Sequence, residues 1–389
     1  MKKLVVYLSI LTMVLGLSAF SCSSTEITSA KLYIQQKKYD KAEEVLMKEI
    51  KKNPKSDEGY YLLGVVYGEK KDIPKMLENY DKSLAISKKF AKEINNAKKF
   101  HWADSFNKGV AYFNRANRVT SKDSMVMFSD KAIAAFNNAI KCEPDSADSY
   151  NNLAYAYLNR GMYDKAIKPL TEMLKIKKTA DAYGRLGEIY YSKAANRMID
   201  FKNGGNVADS VAAIRNYEKA IAVLEEGHKA FPTDENINNY LFNSYIGAHK
   251  ENVAMNKAKE LVEAKPNSKS NRYNYGSLLL QKGEYSKAVD QYKAALKIDP
   301  NYTDAIYNLA VTYIKWGGKI REDDIAAGKS SEKYKEKFEN ALPYLERYVQ
   351  TKDGSNDSAI WELLGKVYAN LGKTKKSKSA FAKADELRK

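Results

Sequence analysis

Cysteine is nearly absent: two residues in a chain of 389 exclude a disulfide framework and any cysteine-rich zinc site. The three histidines, His101, His228 and His249, are separated by far more than a helical turn, so no local metal-ligand or triad spacing is present. Only 8 prolines and 20 glycines leave few obligatory breaks, which suits long helices better than many short strands. Hydrophobic residues are not lacking: at 44% they exclude wholesale disorder. Sixty-five Lys and Arg against 48 Asp and Glu leave a formal charge of +17. That excess is spread along the chain without the basic–aromatic block of a nucleic-acid binder, so no nucleic-acid partner is expected. Contact with an anionic surface or glycan is a secondary expectation.

The first residues read as an export signal. Lys2 and Lys3 precede the apolar run from Leu4 to Phe20, which is slightly short for a spanning helix and carries Ser9, Thr12, Gly16 and Ser18. The chain turns polar at Ser23-Ser24-Thr25. Ala19-Phe20-Ser21-Cys22 resembles a bacterial lipobox, which implies a cleaved signal of residues 1–21 and lipidation, palmitate among the acyl groups, at Cys22. Losing two lysines would leave the mature chain at +15. The other cysteine, Cys142, has no partner and is expected to be a half-buried small apolar residue.

Self-similarity decides the architecture. Between residues 270 and 300 stand Gly276, Gly283, Tyr285, Ala288, Tyr292, Ala295 and Pro300, whose spacing is similar to the tetratricopeptide pattern. Small residues at Gly276 and Ala288 let helices A and B approach, Gly283 supplies the turn, and Pro300 ends helix B. Sliding this template along the chain gives about nine copies, near residues 23–56, 57–90, 102–146, 147–179, 180–234, 235–268, 269–302, 303–355 and 358–389. The resemblance implies that residues 22–389 form an all-α, right-handed superhelical solenoid of helix-turn-helix repeats, each leaning on its neighbours. The polar, lysine-rich last helix suits a terminal repeat.

Three repeats carry extra residues between helices A and B, roughly 11, 21 and 19 against the ordinary period. They fall near residues 117–129, 196–211 and 317–333 and are expected to be helix extensions joined by short loops, because their flanks stay helix-prone. Such insertions emerge on one edge of a solenoid and are candidates for partner specificity.

No motif carries catalysis. Gly328-Lys329-Ser330 looks like the end of a phosphate loop, but Asp323 stands where its first glycine belongs. The abundant carboxylates sit at helical spacing from lysines. No enzyme activity, cofactor or metal is expected.

Binding is the expected function. In the tetratricopeptide family the concave face of the A helices holds extended peptides, and an Asn at the sixth repeat position bonds the ligand backbone. Asn152, Asn274 and Asn308 occupy that position, and Arg185 stands there in the fifth repeat. Tyr155, Tyr273 and Tyr307 lie beside them as flat contact surfaces. The family's full carboxylate clamp is incomplete, since Phe106, Val110 and Asp181 replace three of its members. The chain thus resembles envelope lipoproteins of this repeat class. That implies a protein–protein adaptor, lipid-anchored to a bacterial envelope membrane and aiding assembly or recruitment of an envelope complex. Partners would be other envelope proteins or extended peptide segments, and Ser23 after the cysteine favours the outer membrane. A glycan-binding surface lipoprotein on the same scaffold is the alternative.

Overall fold

The computed structural model describes residues 24–388; Cys22 and the export signal lie outside them. Among the described residues all regular structure is helical, with 19 helices and no strand. They fall into two compact units divided between Lys177 and Lys178.

The first unit is four helix pairs: α1 (Thr25–Gln35) with α2 (Tyr39–Lys52), α3 (Asp57–Glu69) with α4 (Ile73–Ile86), α5 (Ala91–Ala116) with α6 (Lys122–Cys142), and α7 (Ala147–Asn159) with α8 (Tyr163–Ile176). The second holds α9 (Ala180–Gly204) with α10 (Val207–Ala230), α11 (Glu235–Gly247) with α12 (Glu251–Ala264), α13 (Lys269–Gln281) with α14 (Tyr285–Ile298), α15 (Thr303–Ala326) with α16 (Lys333–Tyr348), the single turn α17 (Lys352–Ser355), and α18 (Ser358–Asn370) with α19 (Thr374–Leu387). The surplus residues of the three long pairs lie in helix: α9 and α10, for example, are separated by Gly205 and Asn206 alone.

Local chemistry sets the helix ends. The first helix of most pairs opens on a side-chain oxygen that accepts a first-turn N–H: Ser24, Ser56, Ser146, Thr179, Asp234, Ser268 and Asp357. The tight turns between paired helices use a left-handed residue. It is Gly161, Gly283 or Gly372 in three of them, but Lys37, Lys71 or His249 in three others. Around Lys37 the bonds Lys37 N to Ile34 O and Lys38 N to Tyr33 O close a Schellman turn that satisfies the last carbonyls.

In most pairs a small residue on the first helix receives a large one from the second. A Cβ on Gly64 would stand 2.3 Å from the Tyr80 ring, on Gly109 2.5 Å from Phe136, on Gly187 2.3 Å from Leu224, and on Gly276 3.0 Å from Tyr292. In the ordinary repeats these partners are sixteen residues apart. One pair reverses the sizes: Phe242 on α11 and Ala258 on α12 stand at that interval, both buried.

Cys142 and His101 are among the titratable groups buried in the first unit. Cys142 is fully buried, more so than expected, and burial pushes its thiol up to about 11, which leaves it inert at neutral pH. His101 on α5 is 6% exposed, packs under Gly68 of α3, and its Nδ1 has no hydrogen-bond partner among the described residues. Burial holds its imidazole below the ordinary value; Lys71 acts in the same direction, and Glu69 opposes it.

Gly64→Ala should destabilise the chain by roughly 1–3 kcal/mol in urea unfolding, and adding Tyr80→Leu should recover part of that loss. Unfolding frees His101 to bind a proton near its ordinary pKa of about 6.5, whereas the folded state resists it. Stability should therefore fall as pH drops from about 7.5 through about 6.5 toward the lower folded value. His101→Leu should flatten the dependence in that window, read as the urea midpoint at each pH.

Candidate peptide-binding groove

The first helices of three successive pairs in the second unit, α11, α13 and α15, border a cavity of about 300 Å³. The amides Asn243, Asn274 and Asn308 line it together with Ser277, Tyr273 and Tyr292, and Phe242, Ile246, Leu278 and Leu280 supply its apolar part. No charged side chain lines it.

The polar groups are fixed by bonds that run between neighbouring first helices. Asn274 Nδ2 donates to Asn239 Oδ1 at 2.6 Å, and Asn308 Nδ2 donates to the Tyr273 hydroxyl at 2.8 Å. Ser277 Oγ lies 3.0 Å from the Tyr292 hydroxyl and donates to the Tyr273 carbonyl at the same distance. Burial raises the pKa of the Tyr273 phenol, with Asp304 acting the same way, so it stays neutral at physiological pH. Each of the two asparagines spends one donor on its neighbour; a carboxamide carries a second N–H and a carbonyl oxygen beyond that. This leaves a donor and an acceptor per residue, which is what an extended main chain offers in return.

Three of the residues singled out from the sequence, Tyr273, Asn274 and Asn308, thus meet at one cavity. Tyr307 follows on α15 but packs its ring against Tyr348, with centroids 5.1 Å apart. Tyr273 is itself flanked by Tyr302 at 5.3 Å and Tyr292 at 5.8 Å. Arg185 lies on α9, away from the cavity lining, and its Nε bonds Asp181 Oδ1 at 3.0 Å. Asn152 and Tyr155 belong to α7 of the first unit, and the Asn152 amide donates to the Asp148 carbonyl one turn earlier at 2.8 Å. Sequence reasoning missed Asn239, Phe242, Asn243 and Ile246. The signal was there in the amide-rich stretch from Asn236 to Asn243, but by the same register Tyr240 stands at the position where three other repeats carry asparagine.

Among the described residues no cluster of three or more His, Cys, Asp or Glu is arranged to hold a metal ion, and no helix is long and apolar enough to cross a membrane.

Comparison with known proteins identifies the repeat. Residues 27–55, 135–168 and 358–389 match models described as tetratricopeptide repeat, and residues 276–317 match one described as TPR repeat. The chain is similar to the TPR repeat-containing protein MJ1428 of Methanocaldococcus jannaschii, 23% identical over 424 residues covering 92% of this chain and 68% of that protein. It is also similar to mouse Superkiller complex protein 3, 26% identical over 149 residues, 38% of this chain but only 9% of that protein. Among solved structures, that of YrrB, a TPR protein, aligns over 57% of this chain and 94% of its own at 22% identity and a TM-score of 0.37. Proteins built on these repeats are generally non-catalytic and generally mediate protein–protein interaction. Tetratricopeptide repeats therefore occupy at least four stretches of this chain, whose described residues have no regular structure but helix.

Proposed function

We propose that the protein is a non-catalytic adaptor that holds an extended segment of a partner protein in the α11–α13–α15 groove. An acyl chain on Cys22 tethers it to a bacterial envelope membrane, in this reading the outer one, where it aids assembly or recruitment of an envelope complex. The observation that supports binding is the neutral groove itself, with Asn274 and Asn308 already oriented by Asn239 and Tyr273. A main chain entering it exchanges water for preset donors and acceptors, and the ordering cost of the site has been met in advance. The absence of charge from the lining favours an internal segment over a terminal carboxylate, which would need a cation that Arg185, bonded to Asp181, does not bring there. Glycan binding is the weaker reading, because sugars stack on open aromatic faces and those of Tyr273 and Tyr307 have other rings against them.

A photo-crosslinking residue at Ser277 should capture one protein reproducibly in intact cells, through a single extended segment. Asn274→Ala with Asn308→Ala should cut the yield roughly tenfold or more, as expected for two lost hydrogen bonds of about 1 kcal/mol each, with the helical circular-dichroism signal intact. Unchanged yield would remove the groove from the account. Retarded migration in polysaccharide gels would favour the glycan reading. For the tether, Cys22→Ser should abolish labelling by a fatty-acid probe; persistent labelling would overturn it.

A further inference from the structure

We infer that the segment held in the α11–α13–α15 groove is a proline-rich stretch in the polyproline II conformation. The inference rests on the groove reading above and names the kind of main chain that the groove selects.

Its first support is the interval at which the groove repeats. Asn274 and Asn308 are 34 residues apart, one repeat period, and hold the same position on the first helices of successive pairs. Those two helices meet beside the groove, where Asn308 donates to the Tyr273 hydroxyl. Packed helices lie about 8–10 Å apart, so the two amides recur at about that distance. A segment bonded alike by both has to present like groups at the same interval. A β-strand rises about 3.3 Å per residue and repeats a face every second residue, which gives about 6.6 and 13 Å and nothing between. Three residues of strand would span the interval but arrive with the wrong face. A polyproline II helix has three residues per turn and a rise of about 3.1 Å, so one face returns about every 9.3 Å. That interval fits.

The second support is the chemistry of the lining. Polyproline II makes no internal hydrogen bonds, and proline nitrogens carry no hydrogen, so such a segment offers carbonyl oxygens and needs donors. Asn274 and Asn308 each keep one Nδ2 hydrogen after their bonds to Asn239 and Tyr273. Both side chains are half-buried rather than sealed. Phe242, Tyr273 and Tyr292 contribute aromatic surface to the same lining, the kind of wall on which proline-rich segments dock. No charged side chain lines the cavity, which suits a segment that carries no charge. A chain already fixed near its bound φ by proline also loses little freedom on entering. A strand-like segment differs in one respect: its N–H groups would need the amide oxygens as acceptors.

The test is fluorescence anisotropy of dye-labelled, acetylated decaproline with the full chain, beside decapeptides of alternating Gly–Ser and of alternating Thr–Gln. Decaproline should bind about tenfold or more tighter than either, and its affinity should change by no more than about twofold between low and 1 M salt. Asn274→Ala with Asn308→Ala should weaken it about tenfold or more. Asn274→Asp with Asn308→Asp keeps the size and the acceptor oxygens but removes the donors, and should weaken it as much, with the circular-dichroism signal retained. Equal affinity for the three peptides, tighter binding of the Thr–Gln peptide, or full affinity after either pair of substitutions would overturn the inference. The Ser277 crosslink separates its failure from that of the groove. A captured segment rich in proline supports the inference, whereas a captured segment without proline overturns it and leaves the groove reading intact. Decaproline bound as described with no capture in cells supports the selectivity of the groove and defeats only its cellular role.

Discussion

The contact on which the structure depends is the approach of a small residue on the first helix of a pair to a large one on the second. Gly64 against Tyr80 and Gly276 against Tyr292 are its clearest instances. A glycine in a helix interior costs about 1 kcal/mol relative to alanine. The ring it admits returns more than that, since burying a large side chain contributes roughly 1.5–3 kcal/mol. Neither helix of a pair can bury its apolar stripe alone. The close approach turns two marginal helices into one unit, and the unit then has a face to offer the next. The long pairs keep the rule: Gly187 still receives Leu224, although both helices run on well past the contact.

The exception explains where the groove lies. In the α11–α12 pair the large partner, Phe242, sits on the first helix and the small one, Ala258, on the second. A ring carried by a first helix is available to the surface that successive first helices share, and Phe242 is indeed among the residues lining the cavity. The same helix supplies Asn239 and Asn243, so the pair that departs furthest from the repeat pattern contributes most of what the pattern failed to indicate. Phe242 forms part of the apolar floor beside the amides.

Much of the fold was legible because it is local and periodic. The sixteen-residue interval, the capping serines and Gly283 with its φ of 75° can all be read from spacing. The left-handed turns at Lys37, Lys71 and His249 could not, since no glycine marks them and the Schellman bonds that hold them are main-chain. The site was half legible. Counting positions brought out Tyr273, Asn274 and Asn308, but what orients them is contact between helices some 35 residues apart, to which a single-repeat template is blind. The pairing of Arg185 with Asp181, by contrast, follows from a four-residue helical spacing and was open to inspection from the start.

The groove of the second unit is built from neutral groups. There the amides and the phenol hold one another in place, Asn274 on Asn239 and Asn308 on Tyr273. In the reading proposed above, an extended main chain would meet hydrogen-bonding groups set before it arrives, and neutral groups are little screened by salt. A repeat protein can carry such a surface because its interior asks only for size and apolarity at a few interlocking positions. The other surface positions on the helices are not fixed by that packing.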